Sequence, residues 1–293
     1  MKWLSTRRAL ALMIAPALAV YSLYFAYPIA YSLYESFTDA QSFGSTKLVG
    51  LQNYADMLKD TLFLGSLRNT AIILLVAVLV LLPAAFFLAL LLSGKLKGAG
   101  TLRAMVFAPT VIAPILIGLI WVFILDPQIG LVNSVLRGLG VHNPPQWIGG
   151  TTLSPWSIGF VYTWQSLGFI MTIFYAGIRM LPHDVMEAAS LDGATPWQRL
   201  RYITVPMLHE TFGITTVLIV TGVFKIFELV FQLTGGGPVH LSETLVSYTY
   251  WMTFTNQRYG YGMALAVIIS LFGVVFTLAQ LAFMRRRRAS LGN

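Results

Sequence analysis

Two ionisable residues, Lys225 and Glu228, stand inside an apolar run at 212–233. With Thr221 and Gln232 they fall at offsets 0, 4, 7 and 11, the spacing of side chains on one helical face. A second apolar run, 156–178, carries Gln165, Gly168, Thr172 and Tyr175 at offsets 0, 3, 7 and 10. These side chains suit hydrogen bonding to a polar solute rather than bond making. Two polar stripes on otherwise apolar helices predict facing walls of a wet cavity, with Gly168 leaving room for a bulky ligand. Ionisable residues within such runs are costly and are commonly functional. A second reading stands beside that one: Lys225 and Glu228 neutralise each other, or bond a partner across a subunit interface.

No constellation for catalysis assembles. The chain has no Gly-x-x-x-x-Gly-Lys-Ser/Thr phosphate loop, because Gly235-Gly236-Gly237 runs into Pro238 with no lysine in register. His142, His183, His209 and His240 lie in scattered predicted loops without metal-ligand spacing. Paired acids near a membrane face, as an embedded enzyme would need, are missing too. The absence of cysteine excludes disulfides and thiolate-bound metals. The sequence therefore predicts no catalytic residue, no metal site and no cofactor held by this chain.

The elements that must position these residues are membrane-sized. Of the 293 residues, 57% are hydrophobic and 10% charged, against about a quarter charged in soluble domains. Six apolar runs reach the ~20 residues that cross a bilayer: 9–34, 70–92, 104–125, 156–178, 212–233 and 261–284. With the N-terminus inside, 13 of the 19 basic residues fall on the cytoplasmic side: Lys2, Arg7, Arg8, Lys95, Lys97, Arg103, Arg179, Arg199, Arg201 and Arg285–Arg288. Lys47, Lys59, Arg68, Arg137 and Arg258 fall outside. This bias places both termini in the cytoplasm. The net charge of +8 then reflects membrane anchoring, with Arg285–Arg288 against the anionic inner leaflet, and not nucleic acid. Ala17-Leu18-Ala19 resembles a signal-cleavage site, but the apolar run continues to Tyr34 and reads as a retained first span. Pro16 and Pro28 are expected to kink it, and Tyr21, Tyr24, Tyr27, Tyr31 and Tyr34 to form an interfacial belt.

Between the fourth and fifth runs the chain inserts a polar, amphipathic stretch where a short turn would serve. Asp184 and Glu187 are spaced as a capping pair, Gly193 permits a tight turn, and Thr195-Pro196 starts a second helix. The stretch from Glu187-Ala188-Ala189 through Gly193 to Ile203, Val205 and Pro206 resembles the EAA loop of ABC importer permeases. Three further stretches resemble the carbohydrate branch of that family, the maltose and glycerol-phosphate type: Val49–Tyr54, Thr163–Phe169 with Leu181-Pro182, and Phe224–Glu228 with Gly235–Pro238.

The resemblance implies an all-α integral membrane protein with the type I importer transmembrane fold. Residues 1–8 would be a cytoplasmic N-terminus and 285–293 a basic cytoplasmic tail. Residues 9–284 would form one permease domain with a cytoplasmic coupling loop at 181–209. Glu187, Ala188, Ala189, Leu191, Asp192, Gly193 and Ala194 would dock on a separate ATPase. Leu167–Gly168 and the Gly222–Glu228 region match pocket-lining segments of maltose-type permeases. The implied partners are a second, different permease, two ATP-binding subunits carrying ATP and Mg, and an extracytoplasmic sugar-binding protein. The implied setting is the inner membrane of a prokaryote. A self-sufficient secondary transporter or channel is the alternative. It commonly shows inverted repeats and coupling carboxylates, whereas here no repeat is found and Glu228 alone lies deep in a span.

Overall fold

The computed structural model describes residues 7–41, 46–94, 96–150 and 152–291. Lys2 and Lys95, two of the basic anchors, lie outside the described residues. Among those residues the regular structure is helical, apart from one antiparallel bridge between Thr38 and Leu48. Four helices are long and apolar enough to cross a membrane, and up to six spans result if each of two bent helix pairs is one crossing. The chain divides into two compact units, Met1–Asp60 with Thr249–Ser270, and Thr61–Tyr248 with Leu271–Asn293.

In the first unit, α1 (Ala11–Glu35) has none of its apolar stretch covered by the protein. Tyr21 stacks on Phe25 at 5.2 Å and Tyr27 on Tyr31 at 6.1 Å between ring centroids. Pro16 sits within continuous helix. At Pro28 the expected distortion takes the form of a π turn over Ser22–Ala26, in which the Tyr27 N–H reaches back to the Ser22 carbonyl. Proline lacks the N–H and crowds the carbonyl four residues earlier, so the helix widens just before it. The short helix α2 (Gln52–Met57) is tied to the end of α1 by Asn53, whose buried amide donates to the Ser36 and Thr38 carbonyls at 2.9 and 2.8 Å.

The second unit is built on α3 (Thr61–Ser93). It starts nine residues before the expected apolar run at 70 and has a π turn at Ala77–Leu81 ahead of Pro83. After it come α4 (Ala99–Val111), α5 (Pro114–Leu125), α6 (Leu131–Gly138) and α7 (Ser154–Arg179). Next are α8 (His183–Leu191), α9 (Pro196–Met207), α10 (His209–Phe224), α11 (Glu228–Leu233) and α12 (Leu245–Tyr250). The last helix, α13 (Tyr259–Leu291), contributes to both units. Phe86 of α3, Phe174 of α7 and Phe212 of α10 form an aromatic triangle with centroids 4.8–5.4 Å apart, inside a core that includes Ile73, Leu81, Ile158 and Ile219. Leu75, Leu79, Phe87 and Leu91 on the outer side of α3 stay uncovered. Water would penalise that arrangement, whereas hydrocarbon does not.

Two of the expected runs are not single rods. Run 104–125 bends by 98° between α4 and α5. Ala113 precedes Pro114, and both Ile112 (ψ 134°) and Ala113 (ψ 137°) leave the helical region, as the residue before a proline tends to do. Run 212–233 stops at Phe224 and restarts at Glu228.

Gly168 corrects an expectation. A Cβ there would strike the backbone of Val106 and Phe107, so the missing side chain lets α4 cross α7 closely and leaves no room for a ligand. Gly168→Val should therefore destabilise the chain by about 1–3 kcal/mol, the usual cost of overpacking. A lowered unfolding midpoint for the purified protein in detergent, beside a Gly65→Ala control at an open helical glycine whose midpoint does not fall, is the expected result.

Candidate functional site: a recess between two helix breaks

The two interruptions meet. A recess of about 210 Å³ is lined by Thr110 and Pro114 from the α4–α5 bend, by Tyr162, Gln165, Ser166 and Phe169 from α7, and by residues 222 and 225–229 around the α10–α11 break. Gln165, Gly222, Lys225 and Glu228 are among its lining. Leu167, Gly168, Thr172, Thr221 and Gln232 are not among its lining. Leu167 packs on the core, and Thr172 spends its hydroxyl on the Gly168 carbonyl at 2.8 Å. The Cβ of Gln232 lies against Gly118 of α5. The single helical face proposed for Thr221, Lys225, Glu228 and Gln232 does not exist, because the helix breaks at 225–227 and its periodicity is lost there.

The geometry also shows what holds the recess open. The Gln165 side chain, 8% exposed, donates to the Ile112 carbonyl at 3.1 Å, and Thr110 Oγ1 donates to the Gln165 carbonyl at 2.8 Å. Gln165 therefore satisfies a carbonyl that the bend leaves without a helical partner. Tyr162 turns its hydroxyl toward the Ile219 carbonyl at 3.5 Å and closes over Gly222, where a Cβ would collide with it. Among the described residues neither Lys225 nor Glu228 makes an ion pair, so the mutual neutralisation reading is not met. Tyr162 and Ser166 went unread in the sequence although, with Phe169, their offsets of 0, 4 and 7 mark one face of α7.

The polar stretch after α7 is exposed along most of its length. Pro182 takes the N-cap position of α8 and no side chain caps it, so Asp184 does not have the expected capping role. His183 and His209 open helices and do not lie in loops. His183 Nδ1 instead faces Glu187 Oε2 at 3.8 Å, with both side chains in the open. The end of α8 is a Schellman turn. Ala194 N–H donates to the Ala189 carbonyl at 3.0 Å, Gly193 N–H to Ser190 at 3.2 Å, and Gly193 takes φ +77°. Two residues later Thr195 and Gln198 form a reciprocal capping box at 2.8 and 3.3 Å, with Pro196 in the first turn. Leu191 is 83% exposed and Trp197 64%. Glu187, Ala188, Asp192 and Gly193 are exposed, while Ala189 and Ala194 are half-covered.

Helices of spanning length mark a multi-pass membrane protein, and broken helices around a small recess are an arrangement that transporters use. The chain belongs to the family described as binding-protein-dependent transport system inner membrane component, whose model matches residues 81–289. It is 32% identical over 278 residues to the probable ABC transporter permease protein YurN of Bacillus subtilis, covering 94% of this chain and 95% of that protein. It is 31% identical over 278 residues to the sn-glycerol-3-phosphate transport system permease protein UgpA of Agrobacterium fabrum, covering 94% of each. The diacetylchitobiose uptake system permease protein NgcF of Streptomyces coelicolor is 30% identical over 285 residues, which is 92% of this chain and 80% of that one. In fold it is similar to a chain of a bacterial alginate ABC transporter solved with an alginate pentasaccharide-bound periplasmic protein. The TM-score is 0.83 at 19% identity, covering 97% of this chain and 96% of that one. The fold is therefore that of an ABC importer permease, and the relatives are permease subunits.

The capping box predicts its own test. Thr195→Ala should cost about 1 kcal/mol of local helix stability. Faster amide hydrogen exchange over 197–200, with α10 unaffected, is the expected observation.

Proposed function

We propose that this chain is the membrane-spanning subunit of an ATP-driven importer for a sugar or sugar-like solute. The observation that carries the proposal is the exposed helix, Schellman turn and capped second helix over 183–207. Self-sufficient transport gives no reason to build such a surface, whereas a partner that must push on the membrane domain does. In this reading residues 9–284 form one six-crossing domain, and 1–8 and 285–293 lie in the cytoplasm with both termini. The 181–209 loop meets a separate ATPase through Glu187, Ala188, Ala189, Leu191, Asp192, Gly193 and Ala194. ATP and Mg sit on that partner, which supplies all the catalysis. The remaining partners are a second, different permease, a second ATPase subunit and an extracytoplasmic binding protein, in a prokaryotic inner membrane. The names of relatives that take up diacetylchitobiose, starch degradation products and sn-glycerol 3-phosphate support a sugar or sugar phosphate as cargo.

The recess, with Gln165, Gly222, Lys225 and Glu228 on its wall, is the proposed contact point on the solute path. A lysine donor and a glutamate acceptor on the wall of one recess suit a polyhydroxylated solute. Leu167, Gly168, Thr172, Thr221 and Gln232 retain a place on the path only if they come to it in another conformation.

Purification in mild detergent from the native host should bring down a second permease and a phosphate-loop ATPase. Recovery of the chain alone, still moving solute in liposomes without ATP, would favour the secondary-transporter alternative. Gly193→Asp has open space around it but forces a carboxylate and a Cβ onto a left-handed backbone. It should abolish solute-stimulated ATP hydrolysis while membrane insertion persists, and normal transport would sink the coupling assignment. Lys225→Ala should change the solute dependence of ATP hydrolysis, and an unchanged dependence would make Lys225 structural.

A further inference from the structure

The α10–α11 break leaves its own orphan carbonyl, and a distant residue satisfies it. Thr244 Oγ1 donates to the Ile226 carbonyl at 3.1 Å. Thr244 is 2% exposed, in the segment that leads from Gly235-Gly236-Gly237 to α12. Its position is fixed from several directions. Ser247 Oγ accepts from the Thr244 N–H at 2.8 Å. Asn69 of α3 donates its amide to the Leu241 and Glu243 carbonyls at 2.7 and 2.9 Å. The next residue along the same helix, Thr70, accepts from the Leu245 N–H at 3.1 Å. Asn69, Thr70, Thr244 and Ser247 are all buried. The result is a polar junction that reaches from α3 through Thr244 to the peptide between Lys225 and Glu228.

We propose that Thr244 is a positioning residue for the recess: its buried hydroxyl holds the Ile226 carbonyl and thereby sets where Lys225 and Glu228 stand. The inference rests on the recess lying on the solute path. Within the break the Lys225 and Ile226 N–H groups bond back to the Gly222 and Val223 carbonyls at 3.1 and 3.2 Å, and the Phe227 carbonyl accepts from the Phe231 N–H. The Ile226 carbonyl is the acceptor left to a side chain, and Thr244 supplies the donor. Without the hydroxyl the carbonyl must find another donor, and the break rearranges to supply one. The junction lies wholly outside the recess lining, so Thr244 acts through Ile226 and touches no solute.

The chain has no native cysteine, so a single Lys225→Cys label reports the break cleanly in the full-length protein in its native membrane. Adding Thr244→Val should raise the rate of labelling by a charged, water-soluble maleimide about fivefold, the factor for one net hydrogen bond. Thr244→Ser should restore the parent rate. Thr70→Val, which loosens the same junction without touching Ile226, should leave it unchanged. The proposal is overturned if Thr244→Val labels at the parent rate, or if Thr70→Val or Thr244→Ser shifts labelling as much as Thr244→Val does. Loss of the path reading would appear separately, as unchanged solute dependence in Lys225→Ala, and would leave the labelling result intact.

Discussion

A backbone carbonyl that loses its helical partner in apolar surroundings must be given another, and the centre of this protein is arranged around two such carbonyls. At the α4–α5 bend Ile112 is answered by Gln165, and at the α10–α11 break Ile226 is answered by Thr244. In water either carbonyl would be hydrated at little cost. In a bilayer an unsatisfied group costs several kcal/mol, so a break survives only where a side chain from another element covers it. The two breaks line one recess. The Ile226 carbonyl is met by Thr244 from outside the recess lining, and the Ile112 carbonyl by Gln165, which is itself part of that lining. The recess thus forms where the two helices break rather than between polar residues spaced along intact helices.

The prolines fit the same logic. Pro28, Pro83 and Pro206 each follow a π turn in which the helix widens and continues, with the preceding N–H bonded five residues back. Pro114 follows two residues in extended conformation, and there the helix turns by 98°. Pro16 and Pro109 stay within continuous helix, so one residue type gives more than one outcome. Where the residues before it stay helical, the chain repairs itself within its own ladder. At Pro114 it requires Gln165 from α7, and the recess results.

These differences decide what the sequence could disclose. The 183–207 stretch was largely legible because its determinants are local: Gly193 supplies the left-handed turn, and Thr195 and Gln198 three residues apart supply the capping box. The misreading there, of Asp184 as a cap, came from a spacing rule that Pro182 pre-empts by occupying the cap position. Helix existence was legible from apolar length. The site was only partly so. Offsets of 0, 4, 7 and 11 presuppose one continuous helix, and nothing in Lys225-Ile226-Phe227 announces a break. Its partner Thr244 is 18 residues away, beyond any periodic pattern. Gly168 was legible as special but not as to why, since a glycine that admits a ligand and one that admits a neighbouring backbone look alike until the neighbour is placed.

Lys225 and Glu228 carry the remaining argument. Had they remained on one helix at i, i+3, mutual pairing would have been the economical outcome. The break separates them, and among the described residues neither has an ion-pair partner within 4.0 Å. An unpaired charge away from water is too costly to keep without compensation. Neither is away from it here, since both residues are exposed and both line the recess. The break separates the lysine from the glutamate and leaves both on the wall of one recess, so the helix interruption sets where the two charges stand.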